Sequence, residues 1–68
     1  MTTNRYEFRV TGRLSERAKG AFDGMEVVDA PAETIIRGTV VDDSHLHGIL
    51  ARFQSLGLTL LEMRRLPD

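Results

Sequence analysis

Tyr6, Phe8 and Val10 alternate with Glu7, Arg9 and Thr11 without a break. A period of two marks a half-buried strand, because successive side chains leave a strand in opposite directions. One side of this segment needs an apolar cover and the other does not. In a chain of 68 residues there is room for one core, and a domain of that size buries only about 60% of the surface its unfolded chain exposes. Such a domain is expected to gain from self-association, particularly where no covalent staple helps it.

Beyond Gly12 the period changes. Leu14, Ala18, Ala21 and Phe22 are spaced as one face of a helix. Ser15 reads as its N-cap, Glu16 suits the first turn and Gly24 the stop. This predicts a short helix over 15 to 23, weakened by Gly20 inside it. Met25 to Asp29 and Glu33 to Val41 are rich in β-branched residues and read as strands joined by Ala30-Pro31-Ala32. Pro31 has no N–H to give a ladder, which puts the first of the two at an edge. Asp42, Asp43 and Ser44 then offer N-caps to the strongest helix, over 44 to 56, striped by Leu46, Ile49, Leu50, Phe53 and Leu56 and stopped by Gly57. Leu58 to Arg65 reads as the final strand.

The order β-α-β-β-α-β predicts a single α+β domain over 1 to 68 of the ferredoxin-like, split βαβ kind. Four antiparallel strands are expected, with two helices on one face and the first and third strands central. Tyr6, Phe8, Val10, Ile36 and Val40 face the helices in this reading, Leu58 and Leu60 continue the core, and Phe8, Phe22, Ile36, Leu50 and Phe53 form its centre. The uncovered face receives Glu7, Arg9, Ile35, Arg37, Thr39 and Val41, with Leu61, Met63 and Val28 beside them. An apolar patch of that extent calls for burial, so Glu7, Arg9, Ile35, Arg37, Val41, Leu61 and Met63 are expected to form a homodimer or partner interface. Gly48, Ala51 and Ser55 leave the back of the second helix smooth.

The composition speaks against most chemistry. With no cysteine, a disulfide framework, a thiolate metal site, a cysteine nucleophile and a copper-chaperone pair are all excluded, and a reducing cytoplasm is the expected setting. Nine Lys+Arg against ten Asp+Glu give a net charge of -1, so no broad field draws nucleic acid or anionic lipid. The residues from Met1 to Arg5 do not read as a signal peptide, and no apolar run approaches the length of a membrane span. His45 and His47 sit two apart in a helix, pointing about 200° from each other, so they are not expected to chelate one metal. Arg37-Gly38-Thr39-Val40-Val41 is similar to an RNA-recognition strand, but it carries no aromatic on which a base could stack. Acylphosphatase-like chemistry needs an asparagine by the sheet, and the only one, Asn4, precedes the first strand. Thr2 cannot replace the N-terminal proline of small tautomerases. No nucleophile-base pair is evident, so no catalytic residue and no cofactor are assigned.

The run Asp43-Ser44-His45-Leu46-His47-Gly48-Ile49-Leu50-Ala51-Arg52-Phe53-Gln54-Ser55-Leu56-Gly57-Leu58, closed by Arg64-Arg65-Leu66-Pro67, resembles a group of short uncharacterised actinobacterial proteins of pattern LHGLLARxxxLGLxLxxxRRLP. The resemblance implies a small cytoplasmic bacterial protein and carries no activity with it. Gly12-Arg13-Leu14 lies where ACT domains, which share the expected fold, turn from the first strand into the first helix and bind small ligands. The sequence therefore favours a non-catalytic, homodimeric interaction or regulatory module, with an ACT-like ligand sensor at that loop as the alternative.

Overall fold

In the computed structural model, which describes residues 4–12, 14–30 and 32–67, the alternating segment forms strand β1 (Asn4–Thr11). Four further segments follow the expected order: α1 (Glu16–Lys19), β2 (Glu26–Ala30), β3 (Glu33–Val40) and α2 (Asp43–Ser55), before β4 (Leu60–Leu66) closes the domain. The strands form one sheet in the order β2-β3-β1-β4, every neighbouring pair antiparallel. β1 and β3 are therefore central, and β2 and β4 are the edges.

Register decides which side chains are inside. Phe8 lies opposite Ile36, Val10 opposite Thr34 and Tyr6 opposite Gly38, and opposite residues share a face. On that face Phe8, Val10, Ile36 and Val40 are joined by Leu14, Phe22, Ile49 and Phe53 in one buried cluster. The Phe53 ring meets Phe8 edge-on at 5.5 Å and lies tilted on Phe22 at 5.3 Å, which ties both helical segments to the same side of the sheet. Leu50, expected at the centre, is half-buried at the margin. Gly38 is set by packing: a Cβ there would come within 2.8 Å of Met25 Cγ.

The caps follow the residues that signalled them. Asp42 Oδ1 accepts the His45 N–H at 2.8 Å at the start of α2. At its end Gly57, with φ +73°, lets its own N–H donate to the Gln54 carbonyl and the Leu58 N–H donate to the Phe53 carbonyl, the double bond of a Schellman stop. Ser15 Oγ accepts from the Ala18 N–H at 3.1 Å. The first helix, expected over 15 to 23, spans only Glu16–Lys19 before tightening into a 3₁₀ turn at Gly20–Phe22. The change falls at Gly20, whose freedom costs a helix interior about 1 kcal/mol relative to alanine.

Two expectations about the uncovered face are corrected. β3 ends at Val40, and Val41, placed on that face by extending the alternation, lies beyond the strand and is 76% exposed. In β4, Arg9 pairs with Glu62 but Val10 pairs with Leu60, so Leu61 is an extra residue without an opposite number, a bulge. One inserted residue reverses the facing of all that follows. Met63 therefore lies opposite Phe8, on the helix-covered side, while Glu62, Arg64 and Leu66 take the uncovered one.

Truncating the ring that joins both helical segments to the sheet, Phe53→Ala, is expected to cost about 3–5 kcal/mol. In urea denaturation this lowers the midpoint far enough to leave little folded protein, and an unmoved midpoint would show that Phe53 is not at the centre of the core.

Candidate interaction surfaces

β1 carries Glu7 on the face that no helix covers, yet Glu7 is only 3% exposed. Its cover is two guanidinium groups from the flanking strands. Arg37 of β3 donates from Nε to Glu7 Oε1 at 2.8 Å, and Arg64 of β4 donates from Nε to Oε2 at 3.0 Å. Arg37 also reaches Glu26 of β2, Nη1 to Oε1, at 3.3 Å. Because Glu26 is opposite Arg37, Arg37 opposite Glu7 and Glu7 opposite Arg64, one alternating ion row crosses all four strands. The Arg37 hydrogen bond holds the Glu7 carboxyl below its ordinary 4.5, with Arg64 acting in the same sense and burial opposing both. Glu7 in turn raises Arg37, with Glu26 assisting.

The next row along reads Val28, Ile35, Arg9 and Glu62. Arg9 Nε lies 3.5 Å from Glu33 Oε1, close enough for ionic attraction but not aligned as a hydrogen bond. Of the seven residues expected to make one interface, the sheet brings Glu7, Arg9, Ile35 and Arg37 together. Val41 lies off the end of its strand, Met63 faces the other way and Leu61 occupies the bulge. Among the described residues, the apolar content left on the uncovered face is the Val28–Ile35 neighbour pair with Ala30 beyond it and, at the other end, Leu66. Sequence reasoning missed Glu26 and Arg64. Their signal was opposite charge across neighbouring strands, usable only once register is known.

Of the apolar residues expected on this face, Leu61 and Met63 stand exposed on the β4 edge, where Leu60, expected to continue the core, is exposed as well; Leu56 at the end of α2 is also exposed. Between α2 and β4 runs an open groove of about 400 Å³, walled by Leu50, Phe53, Leu58 and Leu60. Thr11 N–H donates to the Thr59 carbonyl at 2.9 Å, fixing the chain on its way into β4, whose other side has no strand beside it among the described residues.

The remaining candidates are placed as follows. Gly12 turns with φ +93°, and its carbonyl accepts from Thr34 Oγ1 at 2.7 Å. Arg13 lies outside the described residues, and Leu14 is part of the core. His45 Nδ1 accepts the Val41 N–H at 3.0 Å, so this imidazole closes the turn from β3 into α2, a role its sequence position did not announce. It also borders a cleft of about 270 Å³ together with Asp23 and Arg52, where Arg52 donates to the Ala21 carbonyl. His47, Gly48, Ala51 and Ser55 are exposed on α2. Among the described residues, no three His, Cys, Asp or Glu side chains converge on one point, and no helix is long and apolar enough to cross a membrane.

The architecture is thus an α+β domain: a four-stranded antiparallel sheet with helical cover on one side and an ion row on the other. The model of a domain of unknown function (DUF8691) matches residues 5–64, and the chain belongs to that family. No curated protein and no solved structure matches it.

The ion row gives stability a defined pH dependence. Unfolded, Glu7 protonates at its ordinary value; folded, it protonates only at lower pH. Its contribution is therefore complete above the ordinary carboxylate range and is lost as pH falls through 4.5 toward the depressed folded value. Glu7→Gln is expected to be less stable than wild type at neutral pH and to lose stability less steeply on acidification. Parallel acid limbs for the two proteins, followed by circular dichroism, would contradict the assignment.

Proposed function

We propose that this protein is a non-catalytic protein-interaction module that works as a homodimer, with the β4 edge rather than the uncovered sheet face at the seam. The observation that carries this reading is the position of the exposed apolar residues. Leu60, Leu61 and Met63 line an edge strand whose outer side has no strand beside it among the described residues. The sheet face, by contrast, has neutralised itself: Glu7, Arg37, Arg64 and Glu26 satisfy one another within one chain. A small core supports the same conclusion, since a second copy adds burial that a domain of this size lacks.

Read from its other edge, the strand order is β4-β1-β3-β2, which supports placing the fold in the ferredoxin-like class. The lack of cysteine supports work in a reducing cytoplasm. The ACT-like alternative gains nothing from the geometry. Leu14 is committed to the core and the Gly12 carbonyl to Thr34, and α1 is a single turn whose Ala18 N–H is already taken by Ser15.

Light scattering at micromolar concentration is expected to give twice the 7.6 kDa of one chain. Met63→Glu is expected to return the monomer by placing an unpaired charge in the seam, while Val41→Glu, off the seam, leaves the dimer intact. A mass of 7.6 kDa across the accessible range would remove the proposal, and loss of the dimer in Val41→Glu alone would move the seam away from the β4 edge.

A further inference from the structure

We infer that the two copies join edge to edge, β4 running antiparallel to β4 of the second copy about a twofold axis through Met63, an inference that rests on the homodimer proposed above. The axis is found by parity and charge. Continuing one sheet across the seam requires opposite residues to leave it on the same face. Since facing alternates along the regular part of β4, the axis must pass through a residue and not between two. Within Leu60–Leu66, only axes at Glu62, Met63 and Arg64 leave at least five residues of each copy overlapping.

Two of those three bring like charges together. An axis at Glu62 sets that carboxylate against its own copy, and an axis at Arg64 sets a guanidinium against its own copy, arrangements that destabilise a strand pair. An axis at Met63 does the reverse. Glu62 of each chain then lies opposite Arg64 of the other, twice over, both on the uncovered face. Met63, 41% exposed on the helix side, meets only its equivalent. Arg64 gives its Nε to Glu7, and a guanidinium has further N–H donors for a second carboxylate. The row Glu26–Arg37–Glu7–Arg64 thereby continues into Glu62 of the second copy.

The other edge offers no such pairing. The charged residues of β2 are Glu26 and Asp29, both acidic, so no self-pairing of β2 brings opposite charges together, and Asp29 is already held by Lys19 at 3.2 Å. Pairing β2 of one copy with β4 of another would match acid to base, but that contact is head-to-tail and leaves a β2 and a β4 edge free to add further copies unless a ring closes. A closed dimer through β4 leaves β2 to end the sheet on each side.

The chain has no cysteine, so single substitutions read the axis directly. Across an antiparallel pair, opposite Cα atoms lie about 4.5–5.5 Å apart, within disulfide reach, whereas residues two positions from the axis are about 14 Å from their equivalents. Under mild oxidation the full-length Met63→Cys variant is expected to form a covalent dimer about tenfold or more faster than Leu61→Cys or Arg65→Cys, because only the first brings its thiol to its copy within that reach. Glu62→Arg is expected to raise the dimer dissociation constant by about tenfold or more, since it faces arginine with arginine twice. Should that variant misfold by circular dichroism, Glu62→Gln is expected to weaken the dimer in the same direction, and the cross-linking stands apart from both. A wild-type dimer that cross-links equally at the three positions, or best at Leu61→Cys or Arg65→Cys, overturns the axis and leaves the homodimer standing. A monomer overturns both, and masses growing past the dimer with concentration overturn the closed β4 pair in favour of β2–β4 stacking.

Discussion

A carboxylate held between two guanidinium groups in the middle of a sheet fixes more of this molecule than any other contact. Glu7 sits on a central strand, and its partners come from the strand on either side. Sliding β3 or β4 by one residue would break its ion pairs and turn the core face of that strand outward. Buried ion pairs add little net stability against an apolar alternative, but removing a partner leaves a charge that water cannot reach. The row therefore works mainly by penalising wrong pairings. The apolar side of the same strands agrees with it residue for residue: Phe8 meets Ile36 where Glu7 meets Arg37 one step away. Two independent patterns, one of packing and one of charge, specify a single register.

That agreement explains what was legible from the sequence. The alternation of Tyr6, Phe8 and Val10 with charged neighbours announced β1 and its facing. Asp42 and Gly57 announced the ends of α2, and the β-branched runs announced β2 and β3. All of these are local signals, each needing only a few residues of context. Residues that resisted reading depend on distant partners. Gly38 is a glycine because Met25 fills the space a Cβ would take. Glu26 and Arg64 became part of a site only after four strands were aligned.

Leu61 had the largest consequence. Apolar residues at Leu58, Leu60, Leu61 and Met63 leave a strand without a clear facing, and nothing in the composition of that segment marks a bulge. One extra residue moved Met63 from one face to the other and brought Arg64 to Glu7. The same event that completed the ion row thus removed an apolar residue from the face expected to dimerise and left it exposed at the edge.

Interaction through an edge differs physically from interaction through a face. A face is covered by side-chain complementarity, and here the ion row that crosses it is satisfied within one chain; an edge presents unpaired backbone N–H and C=O groups that a second strand can bond directly. The clearest discriminating measurement is amide hydrogen exchange, residue by residue, as a function of protein concentration. An edge-paired dimer predicts that amides of β4 on the side away from β1 slow as concentration rises through the dimer range, while those of β2 on the side away from β3 stay fast. Outward β4 amides that exchange quickly at every concentration, in a protein that is nonetheless dimeric, would contradict the account and put the seam elsewhere.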